Sequence, residues 1–146
     1  MLMLFCGSCV FSFAQSSPSS STFHHWHSLN PDVKLGSSVE SEYKKLPESD
    51  YTPRQNVAEW SAGEKIKSFA SGLSGRLSAL YILGVDETGI VRKIKTLKTS
   101  DAKSSAAFAA IIMNTKVSGP AFLHNQAVAC YMPCSVSIDK NQINIK

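Results

Sequence analysis

The chain has 146 residues, 43% of them hydrophobic and 18% charged, and a formal net charge of +4. That length holds one ordinary domain and a tail, and is too short for two domains. The charge is uneven: from Ile90 onward there are eight basic and two acidic residues, so the N-terminal part is mildly acidic and the C-terminal part basic.

Residues 1–14 carry no charge, are mostly apolar or small, and end on Ser12 and Ala14, the small-residue spacing that precedes a signal-peptidase cut. They read as a signal peptide, or as a truncated anchor, because the apolar run is well short of the roughly 20 residues that span a bilayer. Residues 15–50 are Ser-rich, with scattered Pro and Gly and no sustained period, and read as a flexible linker. Within them His24, His25 and His27 flank Trp26, a set of imidazoles able to bind a transition metal in an open chain. No Cys, Asp or Glu stands nearby to complete a coordination sphere, so a docking or incidental segment is the plainer reading.

The folded domain is expected over 51–146. Ile66, Phe69, Ala70 and Leu73 recur at helical spacing, and the glycines that follow end a short helix over roughly Gly63 to Ser71. Leu77 to Val85 is continuously apolar, as in a strand buried on both faces or central in a sheet. Asp86 to Gly89 forms a turn with Gly89 at a positive φ. A second strand runs from Ile90 to Lys98; Val91 and Ile94 share the core face only if a bulge lies near Arg92 and Lys93.

Thr99, Ser100 or Asp101 caps a helix that reaches about Asn114. Its expected stripe is Ala106, Ala107, Ala110, Ile111 and Asn114, widened by Phe108 and Ile112. A long strand follows over Ala127 to Ile138, broken once at Pro133, and Gln142 to Lys146 can pair back on it as a hairpin. The fold class read from this order is α+β: a small antiparallel three-stranded sheet (β-β-α-β) packed against one helix, with a short helix before it and one sheet edge left open.

No catalytic set is visible, and the chain does not read as an enzyme. The one conceivable dyad pairs His124 with Cys130 or Cys134, and neither cysteine opens a helix that would lower a thiol pKa. Asp86 and Glu87 are neighbours in a turn, and Gly72 to Gly75 precedes a strand, whereas a phosphate loop follows one. Cys130 and Cys134 lie about 13 Å apart on an extended strand, too far for a disulfide unless Pro133 bends it, so their pairing stays open. Arg92, Lys93, Lys95 and Lys98 line one strand without interleaved aromatics, which disfavours nucleic acid and suits either a solvated face or guidance of an acidic peptide.

Val85-Asp86-Glu87-Thr88-Gly89, Thr99-Ser100, Ala106-Ala107, Pro120-Ala121 and Ala127-Val128 occur in an order that resembles the C-terminal domain of TonB and its relative TolA, over roughly Gly75 to Ile138. The resemblance implies an exported, periplasmic or secreted, partner-binding domain. It adds a protein partner, an outer-membrane receptor or a Tol-type peptide, paired along the third strand at Val128, Cys130, Met132, Cys134 and Val136. Arg92, Lys93 and Lys95 would bias that edge toward acidic partners, in a role tied to energy-dependent outer-membrane transport. No cofactor is implied, a homodimer by strand exchange is possible, and membrane contact requires an uncleaved anchor. The alternative is a secreted metal-binding or redox protein using His24, His25, His27, Cys130 and Cys134.

Overall fold

The computed structural model describes residues 22–26 and 34–146. The expected signal peptide and His27 lie outside the described residues. In chain order the elements are β1 (His24–His25), α1 (Ser37–Tyr43), α2 (Gly63–Gly72), β2 (Leu77–Val85), β3 (Val91–Thr99), α3 (Ala102–Ile112), β4 (Ala121–Leu123), β5 (Gln126–Val128), β6 (Cys130–Asp139) and β7 (Gln142–Ile145). The fold is mixed α and β, with three helices among the described residues and a mixed sheet. That sheet has five strands, not the three expected. No helix among the described residues is long and apolar enough to cross a membrane.

β2 is central, as its unbroken apolar character implied: it pairs antiparallel with β3 on one side and with β6 on the other. Leu77, Ala79, Tyr81, Leu83 and Val85 face the core, where α2 contributes Ile66 and Ala70 and α3 contributes Phe108 and Ile112. Tyr81 and Phe108 are wholly buried, with ring centroids 5.8 Å apart. The Tyr81 hydroxyl finds its partner in Ser105 Oγ at 2.8 Å, which removes the cost of burying an unpaired phenol.

Asp101 caps α3 by accepting from the Ser104 N–H at 3.0 Å. The helix ends at Ile112, two residues short of Asn114, and Asn114 takes a left-handed φ of 58°. Its buried residues are Ser105, Phe108 and Ile112, while Ala106, Ala107 and Ala110 are exposed. The alanine stripe was therefore the wrong face. Phe108 and Ile112 offer far more apolar area than a methyl group, and burying them fixes the rotation of the helix.

The turn from β2 to β3 has Gly89 at φ +84°, as its position implied. β3 carries two irregularities, where Leu97 and Arg92 each add a residue opposite β2. The second is the bulge that brings Val91 and Ile94 onto one face. Pro133 does not break β6, which runs continuously from Cys130 to Asp139; the interruption falls at Ala129, between β5 and β6. β4 and β5 form a separate hairpin whose turn residues, His124 and Asn125, both take positive φ.

Part of the segment read as a linker is attached to the domain. His24–His25 form β1, parallel to β6 at Cys130 and Tyr131, and α1 places Tyr43 in a buried position. Phe23 stacks on Tyr131 with ring centroids 4.4 Å apart, so these aromatics supply the apolar surface a Ser-rich linker was thought to lack.

Candidate functional site

The sheet has two outer edges, and they differ. On β6, the expected docking strand, the outward backbone groups are already taken. His24 N–H donates to Ala129 O at 2.9 Å and Trp26 N–H to Tyr131 O at 3.1 Å. Further along, Ser135 and Lys146 exchange two 2.9 Å bonds, and Val136 to Asp139 pair with β7. Residues 131 and 135 thus point outward, and by the two-residue alternation so does Pro133 between them. Proline has no N–H to offer there, and sits where a lost donor costs the sheet least.

The expected docking residues are correspondingly occupied. Val128 belongs to β5 and pairs with Ala121, while Cys130, Met132, Cys134 and Val136 are buried and register with Val85, Leu83, Tyr81 and Ala79 of β2. The third strand is therefore interior to the sheet, not an open edge. The reason is tertiary: β1 and β7 cover its outer side from opposite ends of the chain.

On β3 the outer side is covered only at its start, where Val91 N–H donates to Thr115 O at 3.0 Å and Asn114 N–H to Val91 O at 2.9 Å. Ser100 N–H turns inward to Ser78 O at 2.8 Å. Carrying the alternation through the two bulges leaves the N–H and C=O of Ile94 and Thr96 pointing outward, and no strand among the described residues pairs with them.

The basic residues of β3 do different things. Arg92 Nε lies 2.8 Å from Asp86 Oδ2 and locks the turn. Asp86 Oδ1 also accepts from Thr88 and Ile90 N–H, both at 2.9 Å. Burial by itself would raise the Asp86 carboxyl, but these hydrogen bonds outweigh it and hold the group at about 2. Lys93 donates to the Tyr131 hydroxyl at 3.2 Å, with its ammonium 4.7 Å from the Phe23 ring centroid. Gly84 makes this stack possible, since a Cβ there would sit 2.9 Å from Lys93 Cβ and 3.1 Å from Tyr131 Cε1. Lys95 and Lys98 are exposed and have no acidic partner among the described residues.

The metal and redox residues are not brought into one site. His24 and His25 are successive strand residues, so their side chains project to opposite faces. His25 Nδ1 lies 2.7 Å from the Leu46 carbonyl, to which it must donate, and its Nε2 faces Glu48 at 3.6 Å. No cluster of His, Cys, Asp or Glu able to hold a metal ion occurs among the described residues. Cys130 and Cys134 are unbridged and buried, and burial pushes each thiol up to about 12. His124 is solvent-facing beside Asp50, at 3.8 Å, with 86% of its side chain exposed.

Sequence reasoning missed the β4–β5 hairpin and the part of β1 in closing β6. The first left a faint signal in Asn125, a residue that tolerates the left-handed region. Neither a family model, nor a curated protein, nor a solved structure matches this chain.

Proposed function

We propose that this chain is an exported partner-binding domain that takes an extended segment of another protein as an added strand on β3. The observation that carries this reading is the pair of outward, unpaired peptide groups at Ile94 and Thr96 on a solvent-facing strand. Main-chain hydrogen bonds supply the affinity in such pairing, and adjacent side chains select the partner. The resemblance to the TonB and TolA C-terminal domain supports the mode of binding, with the docking edge moved from the third strand of the β-β-α-β order to the second. Export rests on the signal-like residues 1–14, and a periplasmic or secreted location follows from it. An outer-membrane receptor or Tol-type peptide is the partner class that the same resemblance favours.

Self-pairing through β3 is disfavoured in this reading, because two copies joined edge to edge would set lysines against lysines. The test uses Thr96→Pro, which deletes one outward N–H where an edge strand tolerates proline. Immobilised parent chain and variant are exposed to the same cell-envelope extract. The reading expects a protein retained by the parent and lost from the variant, with both chains equally folded by circular dichroism. Identical retention by the two would refute it.

A further inference from the structure

The partner of the β3 edge has a recognisable charge pattern, and this inference rests on the strand-addition reading. Lys93, Lys95 and Lys98 are unevenly spaced in sequence, so a regular strand would send Lys98 to the face opposite the other two. The extra residue at Leu97 reverses that. Lys93 stands opposite Gly84, Lys95 opposite Ile82 and Lys98 opposite Leu80, and these β2 residues alternate on the face turned away from the α2 and α3 core. The bulge therefore lines three ammonium-bearing side chains along one face, at steps of about 7 Å, two residues of extended chain.

Two grooves open beside this row. One, of about 490 Å³, lies under α1, between Val39, Leu46 and Ile82 and beside Lys95. The other, of about 380 Å³, is bordered by Lys34, Leu80, Lys98 and Ser135. Lys34 adds a fourth cation at the end where Lys98 stands. Glu42 lines the first groove on the α1 side, so an acidic chain is held toward the β3 margin and not drawn beneath the helix.

We infer that the edge selects an extended acidic segment with carboxylates at alternate positions, i, i+2 and i+4, all on the face that meets Lys93, Lys95 and Lys98. An added strand repeats its side chains every two residues on one face, so its carboxylates fall at the same step as the lysines. Charge complementarity then fixes register as well as partner. Phe23 and Tyr131 hold the Lys93 ammonium in place, while Lys95 and Lys98 have no acidic partner among the described residues.

The experiment measures binding of two fluorescent seven-residue peptides of identical composition, with Glu alternating with Thr in one and the Glu residues contiguous in the other. The full chain is compared with Lys95→Gln, Lys98→Gln and Thr96→Pro. The inference expects the alternating peptide to bind at least about tenfold more tightly, with Lys98→Gln weakening it as much as Lys95→Gln. Equal affinity for the two peptides, no detectable binding of either, or indifference to Lys98→Gln would overturn it. If Thr96→Pro abolishes binding while the peptides bind equally, strand addition stands and this charge pattern falls. If Thr96→Pro changes nothing, the strand-addition reading fails, and this inference with it. Tighter binding of a single-stranded oligonucleotide of seven nucleotides, dependent on the same lysines, would also overturn it.

Discussion

The outer edges of β6 and β3 show two ways of treating the same exposed peptide groups. β6 is buried under other parts of the chain: β1 covers one end, β7 the other, and Pro133 has no donor in the gap between them. β3 instead leaves Ile94 and Thr96 unpaired and surrounds them with lysines. Covering removes an edge from use, whereas charge leaves it usable and selective. The two edges therefore place binding on the second strand of the β2–β3 hairpin.

The largest effect should come from the core that both edges share. Phe108→Ala is expected to cost about 3–5 kcal/mol, measured by urea denaturation, and to unravel both edges together. A loss much below that range would mean that α3 does not anchor the sheet. Next, Gly84→Ala forces a Cβ against Lys93 and Tyr131, and is expected to cost about 1–3 kcal/mol by overpacking. Full stability with the Lys93–Tyr131 contact retained would show that the aromatic stack does not constrain the β3 margin.

Asp86→Asn attacks the turn that presents β3 and should cost about 1–2 kcal/mol, since charge-assisted hydrogen bonds are lost. The same carboxyl predicts a pH dependence. Its folded value, about 2, lies below the ordinary 3.8, so its stabilisation is fully present above about pH 4 and is lost as pH falls toward 2. Acid titration of the parent and the Asp86→Asn variant should show this extra loss in the parent alone. The smallest effect is expected at Pro133→Ala, which restores an outward N–H to β6 and should shift stability by less than about 1 kcal/mol. New self-association of that variant would show that proline alone had kept β6 closed.

Local features of this fold were legible in the sequence. The β2–β3 hairpin, the positive φ at Gly89, the bulge between Val91 and Ile94, the Asp101 cap and the β6–β7 hairpin all depend on neighbouring residues. The rotation of α3 was not, because Ser and Ala on several faces obscure the contribution of Phe108 and Ile112. The docking edge was misplaced for a different reason. His24–His25 lie more than a hundred residues from Cys130 in the chain, and no periodicity in either segment announces their pairing. The lysines were visible as a basic strand, but their alignment on one face needed the Leu97 bulge, which only the register with β2 exposes.

Native-state amide hydrogen exchange tests the central claim most directly, since it reads both edges in one molecule without a partner. The account predicts that the Ile94 and Thr96 amides exchange rapidly, while those of Trp26 and Ser135, bonded to Tyr131 O and Lys146 O, are protected. Slow exchange at Ile94 and Thr96 together with rapid exchange at Trp26 and Ser135 would contradict it, and would return the open edge to β6.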